Sequence, residues 1–170
     1  RDYRCYIRRG ENFKKGFQYF DARLDANDFP HKNKYHNNIK KILDEKKKLR
    51  SNDEILIVKE QGVGDEILFS SMYNDLLTNN FSKVKIECDK RLLKIFQRSF
   101  NKNIFVPYGH YSSSISHIKK FDNILYAGSL TKYFRKTEKD FNNTSYLKSS
   151  DNLDKKFNSI LFDFKDKKKI

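Results

Sequence analysis

The sequence predicts an α/β protein with a Rossmann-like parallel sheet and flanking helices. Three observations predict it. Short apolar runs recur along the chain: I-L-I-V-K at 55–59, K-V-K-I-E-C at 83–88 and N-I-L-Y at 123–126. Between them lie segments whose apolar residues fall three and four apart, the helical spacing. A loop with two glycines, Q-G-V-G at 61–64, joins the first run to the first such segment. Strands alternating with helices imply a parallel sheet wound by right-handed crossovers.

The elements follow in order. Residues 11–24 carry Phe13, Phe17, Phe20 and Leu24 at helical spacing, with Gly16 and Ala22 small enough for close packing. Nothing within that segment partners this helix, so it reads as the end of something longer upstream. Pro30 and the Asn-, His- and Lys-rich residues to 38 read as a linker. Residues 40–50 read as a solvated helix with Ile39, Ile42, Leu43 and Leu49 on its apolar side. The run 55–59 is the first strand, of the continuous apolar kind that a parallel sheet buries. Asp65 opens a helix over 66–79, with Ile67, Leu68, Phe69, Met72 and Leu76 facing inward. Residues 83–88 alternate as a second strand, and Asp89 caps the next helix, which carries Leu92, Leu93, Ile95 and Phe96. Ile104 to Val106 is a third strand ended by Pro107, and 123–126 is a fourth. Asp151 caps a last helix running to about residue 161. A basic turn before Ile170 reads as the first step of a further strand. With Arg rather than Met at position 1, the chain reads as an internal piece of a longer protein.

Composition narrows the class. Aromatic residues make up 15% of the 170 residues, which excludes wholesale disorder. No run approaches the length of a membrane span. Cys5 and Cys88 are too few for a disulfide framework or a four-ligand zinc site. The net charge is +14, a balance that points toward nucleic acid or an anionic surface. The excess is spread along an Asn- and Ile-rich chain, a composition that AT-rich coding produces by itself, so no nucleic-acid partner is assigned.

The chemistry centres on the loop E-Q-G-V-G-D at 60–65. Open α/β sheets bind ligands at the carboxyl ends of their strands, and a helix N-terminus offers free N–H groups to anions. The dinucleotide fingerprint fails, because Ile67 stands where the third glycine belongs. Asp65 is singled out. It serves either as a helix cap or as a general base that the helix dipole keeps ionised. Glu60 is a second carboxylate on the loop, and equally an exposed strand-end residue. His31, His36, His110 and His117 do not form a metal-ligand pattern, so no metal is expected. Ser112 to Ser114 lack the surroundings of a nucleophile. Cys88 reads as buried apolar filler.

Five stretches carry a family resemblance: 16–24, 55–69, 86–100, 128–135 and 145–150. The most specific is I-L-I-V-K-E-Q-G-V-G-D-E-I-L-F at 55–69. They resemble bacterial tetratricopeptide-repeat proteins with a C-terminal glycosyltransferase domain similar to the heptosyltransferases. The resemblance implies the GT-B architecture of two Rossmann-like domains. Residues 1–29 would be the end of the repeat array, 30–53 a basic linker and helix, and 54–170 the acceptor-side domain. It implies Asp65 as the base of an inverting, metal-independent transfer that needs no cofactor, inactive without its donor half. Glu60, Gln61, Gly62, Val63 and Gly64 would contact substrate. The partners implied are a nucleotide-sugar donor, a glycan, lipid-linked or protein acceptor, and a protein bound by upstream repeats, in the cytoplasm. The rival reading is a repeat and Rossmann-like interaction module without catalysis.

Overall fold

A computed structural model describes residues 13–25, 49–79, 81, 83–100, 103–111, 115–118, 120–141 and 144–162. The linker at 30–38, most of the helix expected at 40–50, Ser112 to Ser114 and the turn before Ile170 lie outside them, as do Cys5, His31 and His36. The described helices are α1 (Phe13–Phe20), α2 (Val63–Ser70), α3 (Tyr73–Thr78), α4 (Leu93–Phe100), α5 (Ile115–Ile118), α6 (Thr131–Phe134) and α7 (Asp151–Phe162). The strands are β1 (Glu54–Val58), β2 (Lys83–Cys88), β3 (Phe105–Pro107) and β4 (Asn123–Tyr126).

The four strands form one parallel sheet in the order β3-β2-β1-β4. The expected α/β class is therefore what the chain adopts. Strand β1 is central and pairs Ile57 with Ile86 on one side and with Leu125 on the other. Its residues Ile55, Leu56, Ile57 and Val58 are fully buried, which is why the run is apolar without alternation. Each such side chain contributes roughly 1.5–3 kcal/mol by leaving water.

Alternate residues of β1 feed two cores. Ile55 and Ile57 face a cluster with Phe69, Met72, Tyr73, Leu76, Phe96, Phe100 and Phe105. Leu56 and Val58 face a second cluster with Leu24, Ile118, Phe121, Ile124 and Tyr126. The first face takes α2, α3 and α4, and the second takes α5. The chain thus changes face between β3 and β4, on the far side of β1. That change places a topological switch point between the carboxyl ends of β1 and β4.

The helix expected over 66–79 is two helices, and it begins earlier, at Val63. The ladder tightens at Ser71 and Met72, whose N–H groups donate to Leu68 O and Phe69 O, three residues back. Arg135 Nη2 donates to Ser71 O at 3.1 Å and holds the break. Leu68, expected to face inward, is 64% exposed. Strand β3 extends through Pro107 instead of stopping before it. It is an edge strand, where the missing N–H of proline faces no partner. Strand β4 matches its expected bounds, and α7 runs one residue longer than expected.

The helix at 13–20 has its partners in the sheet unit. Phe20 packs on Phe69 with ring centroids 6.5 Å apart, on the first face. Leu24, in the 3-10 turn Asp21–Asp25, is fully buried in the second cluster. The segment therefore crosses from one face of the sheet to the other as a strap.

Cys88 is fully buried at the end of β2, as expected of an apolar filler, and burial pushes its thiol up to about 12. The thiolate is the reactive form. Native protein at pH 8 is expected to leave Cys88 unmodified by iodoacetamide over hours, with rapid labelling in denaturant. Peptide mapping reads this out, and fast native labelling would contradict the burial.

Candidate functional site

The carboxyl edge of the sheet is built from the loops that follow the strands. After β1 come Lys59, Glu60 and the loop to Asp65, and after β2 comes Asp89. After β3 come Tyr108 and Gly109, and after β4 come Ala127, Gly128 and Ser129. The strap 20–25 divides this edge into a roofed half and an open half.

The roofed half lies at the switch point. Arg23 Nε donates to Glu60 Oε2 at 2.8 Å, and Arg23 Nη2 donates to Glu60 Oε1 at 2.7 Å. Arg23 Nη1 donates to Asp21 Oδ1 at 2.9 Å, and Lys132 Nζ donates to Asp21 Oδ2 at 2.7 Å. Ser129 Oγ donates to Asp21 Oδ1 and accepts from Arg23. The Gly128 N–H donates to Glu60 Oε1. Two cations and two carboxylates thus balance, and the two carboxylates raise the Arg23 pKa against the cost of its burial. Glu60 is consequently no exposed strand-end residue. It is fully buried and both oxygens are engaged, so it builds the mouth from beneath.

Removing Glu60 is expected to be costly. Glu60→Ala leaves the Arg23 guanidinium with Asp21 as its one carboxylate partner among the described residues and removes the acceptor of the Gly128 N–H. Breaking one side of a buried ion pair costs roughly 3–5 kcal/mol. In urea unfolding, Glu60→Ala and Arg23→Ala should be far from additive, because they remove the same interaction. Additive losses would show that the two side chains act independently.

The open half carries the loop 61–65. Gln61 has φ of 60°, in the left-handed region that L side chains rarely adopt. Lys59 holds it there: Lys59 Nζ donates to Gln61 O at 2.8 Å and pairs with Glu66 Oε1 at 2.8 Å. Glu66 Oε2 accepts the Asp89 N–H at 2.9 Å, tying the start of α2 to the end of β2. Desolvation raises the Glu66 pKa, and Lys59 opposes it. Asp89 is held well below the usual carboxylate range by its hydrogen bonds with Arg91, and Asp89 Oδ1 accepts the Arg91 N–H in the turn before α4, which begins at Leu93, so Asp89 is not the cap of that helix.

Asp65 sits at the third position of α2 and is half-buried. Its Oδ2 accepts the Gly62 N–H at 3.1 Å, so it closes the helix entrance. Gly62 and Gly64 are exposed, and a Cβ at Gly64 would meet nothing within 4 Å. Val63 is half-buried and packs against the first core. The structure thus brings Gln61, Gly62, Gly64 and Asp65 together at one open helix entrance and separates Glu60 from them.

Sequence reasoning missed Arg23, Asp21, Ser129 and Lys132, which lie far from Glu60 in the chain and carry no local pattern. It also missed Lys59 and Glu66. A lysine closing an apolar strand and a glutamate in the first turn of the next helix were the available signal. Among the described residues, no three His, Cys, Asp or Glu side chains converge as a metal site. Among them, no helix is long and apolar enough to cross a membrane. Comparison with protein-family models, with curated proteins and with solved structures finds no match for this chain.

Proposed function

We propose that the chain is the acceptor-side half of an inverting, metal-independent glycosyltransferase. It would move a sugar from a nucleotide-sugar donor to an acceptor hydroxyl. The observation that carries the reading is Asp65, half-buried at an open helix entrance on the carboxyl edge of a parallel sheet. The resemblance of residues 55–69 to heptosyltransferases supports the same assignment. Asp65 takes the acceptor proton as that oxygen attacks the anomeric carbon, and the nucleotide diphosphate departs from the opposite face. Gly62 and Gly64 leave room for the acceptor to approach the α2 amides. In this reading most donor contacts belong to a second Rossmann-like domain.

The test uses the full-length gene product with a panel of nucleotide sugars and glycan acceptors, in EDTA. NMR of the product is expected to give an anomeric centre inverted relative to the donor. Retention, or transfer abolished by EDTA, would overturn the mechanism.

A second reading has an observation of its own. Leu153, Phe157, Ile160, Leu161 and Phe162 of α7 are all exposed, an apolar surface suited to a partner. The interaction module predicts no transfer by the full-length protein with any donor.

A further inference from the structure

On the second face of the sheet, away from the loop 61–65, lies an open pocket. It is lined by Lys83, His110, Tyr111, His117, Lys120 and Phe121. Every ionisable group in that lining other than the tyrosine is basic, and they come from four separate places. Lys83 opens β2, His110 lies in the turn after β3, His117 is on α5, and Lys120 stands in the turn before β4.

The aromatic wall is fixed. Phe121 is 2% exposed and meets Tyr111 edge-on at 5.1 Å, and Tyr111 meets His110 edge-on at 4.8 Å. Glu87 lies fully buried behind them and accepts the N–H groups of Gly109 and Tyr111. Its charge is thus engaged in pinning the turn that presents His110. Lys83 Nζ lies 5.6 Å from the Phe121 ring centroid and pairs with Glu54 at 3.0 Å, from outside the lining. Folding gathers these basic groups into one concavity although like charges repel.

We infer that this pocket binds a phosphoryl group. A phosphate offers several acceptor oxygens to two ammonium groups and to imidazole N–H donors, and charge-assisted hydrogen bonds of this kind are the strong ones. The aromatic wall shields one side of the site from water. Its lining includes no residue of the loop 61–65, so the site stands whether or not the transferase reading does.

The test is an NMR titration of the 15N-labelled protein with inorganic phosphate, and with chloride at matched ionic strength. Phosphate is expected to shift the His110 and His117 imidazole signals and the Tyr111 amide saturably, while chloride leaves them in place. Lys120 and His117 are exposed, so their replacement spares the fold. Lys120→Ala should weaken binding about tenfold, the value of one charge-assisted contact, and Lys120→Arg should restore most of it. Vesicles of phosphatidylcholine with and without phosphatidic acid distinguish the sources of the phosphoryl group. Sedimentation with the acidic vesicles, competed by phosphate, assigns a lipid headgroup. Phosphate binding without sedimentation assigns a soluble phosphate. Equal shifts with chloride, no saturation, or unchanged binding by Lys120→Ala would overturn the inference.

Discussion

Gly128→Ala is expected to cost about 3 kcal/mol or more, although it adds one methyl group. The new Cβ would lie 2.6 Å from Glu60 Oε1, 2.9 Å from Arg23 Nη2 and 3.0 Å from Phe20 Cε1. None of these neighbours is the free end of a flexible side chain. Glu60 is fully buried, Arg23 is held by two carboxylates, and Phe20 lies between Phe69 and the Arg23 guanidinium, which stacks 3.9 Å from its ring centroid. The methyl group therefore either displaces the strap or breaks the Glu60 contact with the Gly128 amide. Overpacking costs roughly 1–3 kcal/mol and loss of one side of a buried ion pair roughly 3–5 kcal/mol. In a chain of this size about 3 kcal/mol lowers the melting temperature by roughly 6–12 °C. Thermal unfolding measures it. A change below about 2 °C would mean that the strap yields easily and that the network is no clamp.

The sheet was legible because burial on both faces leaves a strand few choices. The apolar run of β1 announces itself, and β4 was read at its true bounds for the same reason. The long helix was misread because the period of apolar residues continues across Ser71. The break there is set by Arg135, sixty-four residues away, and by no local signal. The strap is a similar case. The pattern in 13–24 shows a helix with an apolar side, but that side meets the distant Phe69 and Phe141, and Leu24 belongs to a core across the sheet. Asp65 reads from the sequence as the residue that opens the helix and caps its first turn, but the helix begins at Val63, and Asp65, at its third position, accepts the N–H of Gly62 instead. Glu60 was misjudged because a carboxylate after a strand normally reaches water, and only the distant Arg23 explains its burial. Long-range ion pairs have no periodicity, so a single sequence does not display them.

Asp65 carries the functional proposal, and its two roles can be separated by one atom. As a cap, it needs an acceptor oxygen for the Gly62 N–H, which asparagine also supplies. As a general base, it needs a carboxylate, which asparagine lacks. Asp65→Asn should therefore leave the melting temperature within about 2 °C, as surface changes within roughly 0.5 kcal/mol do. It should lower sugar transfer by the full-length gene product by about 10²–10⁴-fold, the usual worth of a positioned general base. Asp65→Ala should lose both, since it removes the cap as well. The measurement to make is the transfer rate of Asp65→Asn against the wild-type full-length protein at equal folded concentration. A loss in that range, with the fold intact, is the result the account predicts. Transfer at the wild-type rate would contradict it and leave Asp65 as a helix cap alone.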